Sequence, residues 1–169
     1  MRLFNKKEGD FSITPATDED IGLCVDMISK AMGGRPINKE ILEQTLKTPN
    51  MIVLVAKTKE KIVGIISGLA FPTMIPPPRI DFLSVSDEES ARKGLYGILI
   101  DEFIEELKKR LPNAKYVDTN VPAINPQFTA VYSFKGFVVT GFIKGEQSMS
   151  DVVVLRKILA KDTSKNFTV

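Results

Sequence analysis

Acid–base chemistry has few carriers in this chain. The 169 residues include no histidine, which excludes a Ser-His-Asp triad, a Cys-His dyad and a His-ligated zinc. Proton transfer falls to carboxylates, tyrosine, lysine, Cys24, backbone or water. The densest group of charges and glycines is "SVSDEESARKGLYGIL", residues 84–99, between an apolar strand-like run and a long amphipathic helix. Unpaired N–H groups at a helix start attract anions, above all phosphate, where glycine lets the backbone approach. Arg92 and Lys93 add positive charge there. If the helix starts near Gly94, its first residues are Leu95, Tyr96, Gly97 and Ile98, with no acid to offset the positive end of the dipole. A competing reading starts the helix at Ser86, with Ser86 and Glu89 as a capping box. Gly94 and Gly97 would then sit in a helix interior, at about 1 kcal/mol each. A helical turn that breaks before Gly94 satisfies both signals.

A second group is "NPQFTAVYSFKGF", residues 125–137. Asn125 with Pro126 at the first helical position is a strong helix start, and Gly136 a stop. Tyr132 lies near the end of that helix. Taken alone, it reads as a half-buried aromatic whose hydroxyl finds a backbone partner. Asp81 and Asp118 are acids inside apolar strand-like runs, and pairing with Arg79 or Lys115 would account for them structurally. Cys24 is the single cysteine, so it makes no internal disulfide; its place in a helical pattern reads as a small buried thiol.

The elements that must position these residues follow from periodicity. "FSITPA", 11–16, is a short strand meeting a helix capped by Thr17 or Asp18, with Ile21, Val25, Ile28 and Met32 at helical spacing and a stop at Gly33-Gly34. Asn38 can cap a second helix with Ile41, Leu42 and Leu46 on one face. "MIVLVAK", 51–57, is a buried strand; the turn "TKEK" leads to an antiparallel partner "IVGIISGLAF", whose Gly64 and Gly68 predict a bulge or a close backbone approach. "PTMIPPP" interrupts, and "RIDFLSVS", 79–86, is the next strand. Leu95, Leu99, Phe103, Leu107 and Leu111 then fall at steps of four on the long helix, with acids before bases along it. "KYVDTNV", 115–121, the helix containing Tyr132, "FVVTGFIKG" and "DVVVLRKIL" complete the order β-α-α-β-β-β-α-β-α-β-β. This predicts an α/β (α+β mixed) fold: a central mixed, mostly antiparallel sheet with helices packed on both faces, in one domain over 11–160, between an N-terminal extension (1–10) and a polar tail (161–169).

These pieces together resemble the GNAT superfamily of acetyl-CoA-dependent N-acetyltransferases. The likeness spans roughly residues 11–160 and includes the element order. The family's late motif is an Asn, a short helix, then Tyr a few residues before Gly-Phe, matched by Asn125, Tyr132, Gly136 and Phe137. Its phosphate motif is R/Q-x-x-G-x-G/A. With Gly94 as the first glycine, Ala91 takes the place of the Arg or Gln and Tyr96 that of the second small residue. With Gly97 as the second glycine, Arg92 fits the first position and Leu95 replaces the first glycine.

The resemblance implies that acetyl-CoA fills a wedge between strand 79–86 and strand 115–121. Pantetheine would pair with Phe82, Leu83, Ser84 and Val85, and a backbone N–H near Leu83–Val85 would polarise the thioester. The pyrophosphate would lie on the amides of Arg92, Lys93, Gly94, Leu95, Tyr96 and Gly97, with Asn125 also on the cofactor. Tyr132 would be the general acid for the departing sulfur. The base would be Asp81 first, or Asp118, directly or through water. No metal is implied. The acceptor would be a small-molecule or peptide amine. A module of this fold that holds acyl-CoA or a protein partner without turnover is the alternative.

The bulk numbers narrow the setting. The formal net charge is +2 and 26% of residues are charged, which offers no strong field to nucleic acid or membrane. The apolar runs are too short to span a bilayer as helices, and the basic N-terminus has no apolar run behind it. The expectation is a cytoplasmic protein without nucleic-acid or membrane partners; a homodimer stays open.

Overall fold

The computed structural model describes residues 7–8, 11–32, 36–59, 61–73, 75–86, 88–145 and 150–159. Its elements are β1 (Lys7–Glu8), β2 (Phe11–Pro15), α1 (Asp18–Ala31), α2 (Lys39–Leu46), β3 (Met51–Lys57), β4 (Ile62–Leu69), β5 (Arg79–Val85), α3 (Glu88–Arg92), α4 (Leu95–Arg110), β6 (Tyr116–Pro122), α5 (Pro126–Phe134), β7 (Val138–Ile143) and β8 (Val152–Ile158). The strands form one 8-stranded sheet in the order β1-β2-β3-β4-β5-β6-β8-β7. Every pairing is antiparallel except β5 with β6. The predicted mixed sheet and element order are found, with two additions: β1, which ties part of the N-terminal extension to β2, and the short helix α3. The Gly33-Gly34 stop and the tail 161–169 lie outside the described residues.

The unbroken apolar run of β3 has its reason in a sheet covered on both faces. Ile52, Leu54 and Ala56 join a core under α4 and α5, built around Leu95, Leu99, Phe103 and Leu107. Met51, Val53 and Val55 alternate to the other face, under Ile21, Cys24, Val25 and Ile28 of α1 and Leu42 and Leu46 of α2. Ile41, placed by spacing on the same face as Leu42, is instead exposed. Cys24 is fully buried, and burial pushes its thiol up to about 12, the state of an inert packing residue.

β4 carries the two close approaches that its glycines predict. The β4–β5 register shifts between Ser67 and Gly68, so that Ser67 opposes Phe82 while Gly68 opposes Ile80. Asp81 is the extra residue of this bulge. A Cβ on Gly68 would lie 2.1 Å from the Arg79 carbonyl oxygen and 2.8 Å from Phe103 Cζ. At the far edge, β7 leaves Val138, Val139, Phe142 and Ile143 exposed.

Candidate active site

β5 and β6 leave their loops side by side and then part. Their parallel ladder has two register pairs, Arg79 with Asp118 and Ile80 with Thr119. Beyond them β5 stays on β4 as far as Val85, and β6 stays on β8 as far as Pro122. From Asp81 to Val85 the β6-side edge of β5 therefore has no strand partner among the described residues. The bulge at Asp81 falls where the divergence begins, as expected of a device that bends and twists one strand away from its neighbour.

Three polar side chains lie near this apex. Thr119 is buried, and its Oγ1 donates to the Ile80 carbonyl at 3.2 Å. The Thr119 and Tyr132 hydroxyls are hydrogen-bonded to each other, which partly offsets the effect of burial on Tyr132. Tyr132 is 3% exposed, and burial holds its hydroxyl far above the ordinary tyrosine range; the nearby Asp81 charge pushes the same way. The ring is seated edge-on against Phe137, centroids 5.1 Å apart. Gly136 makes that possible: at φ 82 it ends α5 and turns Phe137 back, so that the Phe137 N–H donates to the Tyr132 carbonyl at 3.0 Å. Thr119 was not singled out by the sequence, since a threonine in a β-branched strand carries no signal of its own.

Asp81 lies on the rim of a cleft of about 200 Å³, with Pro76, Pro77, Arg79, Asp118 and Asn120 around it. A pocket for a whole drug-sized ligand measures roughly 300–1,000 Å³, so this one suits a small group. Arg79 Nε donates to Asp81 Oδ1 at 2.6 Å. Even so, burial raises the Asp81 pKa against the lowering effect of Arg79. Asp118 differs: both its oxygens are taken, by Arg156 Nε at 2.7 Å and Arg156 Nη2 at 2.8 Å. The expected ion pair of Asp81 with Arg79 is present. The partner of Asp118 is Arg156, its cross-strand neighbour on β8, in place of Lys115. Of the two carboxylates, Asp81 has one oxygen with no hydrogen-bond partner among the described residues.

The balance at Asp81 has a sign that can be measured. The folded state holds this proton to higher pH than the unfolded chain does, so stability falls as pH rises through the folded pKa. Asp81→Asn is expected to raise the melting temperature at pH 7, with the gain disappearing below the ordinary aspartate pKa near 3.8. Thermal melts of both proteins across pH check this; a variant that melts lower at pH 7 would show that the Arg79 pair outweighs burial.

At the other end of β5, residues 84–99 hold the helical break that the competing signals predict. α3 carries Glu88 and Glu89, Gly94 at φ 79 breaks the path, and α4 restarts with no acid in its first turn. The Lys93 and Gly94 amides donate to the Glu89 and Ala91 carbonyls, and those of Gly97 and Ile98 to the Gly94 carbonyl. Leu95 and Tyr96 are the first two residues of α4, where amides have no acceptor within the helix. The six-residue cradle expected at 92–97 thus has Lys93, Gly94 and Gly97 engaged locally. Lys135 crosses Gly97 to pair with Asp101, and a Cβ there would meet Lys135 Cε at 2.7 Å, an overlap that this flexible side chain relieves by shifting. Asn125 stands at the N-cap of α5 with Pro126 in the first turn, but its side chain makes no cap hydrogen bond.

Tyr96 reaches furthest. Its hydroxyl is hydrogen-bonded to the Val85 backbone. The bond favours the ionised hydroxyl, so the Val85 N–H is the donor. Its ring meets Phe128 of α5 edge-on, centroids 5.4 Å apart and planes at 87°. Phe82, Leu83, Ser84 and Val85 are all half-buried along this strand. The structure therefore brings Tyr132, Thr119 and Asp81 together at the apex of the wedge, and places Val85, Leu95 and Tyr96 at its mouth.

No protein-family model matches the chain, and a search of curated proteins finds no match. Solved structures do match. Ard1 from Thermoplasma volcanium superposes with a TM-score of 0.75 at 19% identity, covering 90% of this chain and 100% of the other. The acetyltransferase of the GNAT family from Streptococcus pneumoniae gives 0.69 at 21% identity, over 89% and 99%. The yncA protein of Salmonella typhimurium, solved with its cofactor acetyl-CoA, gives 0.75 at 15% identity, over 95% and 100%. The wedge between β5 and β6, the helices on both faces and these likenesses agree: the chain has the fold of the GNAT acetyltransferases.

Proposed function

We propose that this protein is a cytoplasmic N-acetyltransferase that moves an acetyl group from acetyl-CoA to a primary amine of a small molecule or peptide by direct attack. The observation that carries the reading is the two-pair seam between β5 and β6, with Tyr132, Thr119 and Asp81 at its apex. Acetyl-CoA supplies a thioester activated toward amines. Everything else is the work of side chains and backbone. The open edge of β5 from Phe82 to Val85 offers peptide groups to an extended amide-bearing arm, as an added strand would use them. The amides of Leu95 and Tyr96, in the first turn of α4, would face phosphate charge. Asp81, its pKa raised by burial, accepts the proton that the amine must lose. Tyr132 keeps its own proton because burial penalises its anion, and gives it up only to a sulfur anion formed beside it.

A module that holds acyl-CoA without turnover is the second reading. The motif is incomplete in both registers, with Ala91 and Tyr96 out of place when Gly94 is the first glycine and Leu95 when Gly97 is the second, which favours it.

The two readings part in one experiment. Acetyl-CoA at 100 times its Kd is expected to raise the melting temperature by about 5–10 °C, and an amine and peptide panel to yield at least one acetylated product by mass. A shift with no product supports the module. A protein that shows neither a shift nor a product is not an acetyltransferase of this kind.

A further inference from the structure

Tyr96 occupies ground that the acyl-CoA reading needs. It stands at the first turn of α4, where the family motif has Gly or Ala when Gly94 is its first glycine. Its hydroxyl accepts from the Val85 amide, at the end of the β5 edge that β6 leaves open. Its ring rests on Phe128, which belongs to the helix following β6. One side chain thus bridges the two walls of the wedge. The Val85 amide cannot serve Tyr96 and an incoming arm together.

We propose that Tyr96 is a gate on the cofactor side of the wedge, seated across its mouth and displaced when the pantetheine arm pairs with β5. This rests on the acyl-CoA reading and adds to it a residue that sets cofactor affinity. Swinging out requires three things: breaking the bond to Val85, parting the ring from Phe128, and turning the side chain from its place on α4. No change of fold is involved. The closed state lowers apparent affinity in proportion to how rarely the gate is open. Truncating the side chain removes both contacts at once. Removing only the hydroxyl removes one.

Calorimetric titration with CoA tests the gate without any need for turnover. Tyr96→Ala is expected to bind CoA roughly tenfold more tightly than the wild type, and Tyr96→Phe to fall between the two. A wild type that binds CoA while Tyr96→Ala binds equally or more weakly overturns the gate and leaves the cofactor reading standing. If wild type and both variants ignore CoA, the cofactor reading fails and the gate with it. Melts without ligand report whether Tyr96→Ala folds. Should it not, Tyr96→Phe keeps the ring and decides the matter: tighter binding supports the gate, equal or weaker binding overturns it.

Discussion

Replacing Gly68 by alanine is expected to destabilise the protein by at least about 3 kcal/mol, lowering its melting temperature by about 6–12 °C. The added methyl would fall 2.1 Å from the Arg79 carbonyl oxygen and 2.9 Å from Ile80 Cα. Both are backbone atoms of the neighbouring strand, so no rotamer change relieves the overlap. β5 must move, and with it the bulge at Asp81 and the two residue pairs that join β5 to β6. Gly22→Ala is the control. Gly22 lies on an exposed face of α1 with nothing within 4 Å of an added Cβ, so alanine there is expected to stabilise, by up to about 1 kcal/mol. The same chemical change thus has opposite signs at two glycines. Thermal and denaturant unfolding of both variants measure this; a Gly68→Ala protein that melts with the wild type would show that β5 gives way at no cost.

Tyr132→Phe is expected to lower turnover by about 100-fold or more, the range for losing a general acid. Affinity for CoA should be nearly unchanged. The substitution removes one hydroxyl and keeps the ring packed on Phe137. Thr119 still donates to the Ile80 carbonyl after the change, so the buried network loses a donor without orphaning one. The stability cost is accordingly about 1 kcal/mol, too little to mimic a catalytic defect by unfolding. Turnover and calorimetric affinity, measured on the same preparation, separate the two effects. Unchanged turnover removes the proton from Tyr132, whatever the affinity does.

Much of this architecture was legible from the chain, and the reasons differ by element. β3 could be read because a strand buried on both faces needs an unbroken apolar run. Gly68 could be read because glycine inside such a strand marks a close approach. The break at Gly94 followed from two incompatible local signals that only a helical interruption reconciles. Pairings between distant strands were not legible. Asp118 meets Arg156 because β6 lies in register with β8, and no local pattern encodes a register across 38 residues. Tyr96 is the sharpest case. Its position in the motif was visible as a departure, but the Val85 amide that its hydroxyl takes depends on how α4 is set against β5. Ile41 shows the converse: helical spacing placed it beside Leu42, yet a short helix buries a narrow stripe and leaves that neighbour in water.

The two-pair seam also bears on the order in which the chain can assemble. Strands β1 to β5 pair in sequence order, and their pairings with one another lie within residues 7–85. A nascent chain that has emerged through Val85 already holds every strand of that part of the sheet. The other part, β6 with β8 and β7, is drawn entirely from the C-terminal end. Its docking, through two residue pairs and the helices packed beneath them, is what creates the wedge. During N-to-C synthesis, the cleft is therefore a late arrival, formed where two separately supplied pieces of sheet meet.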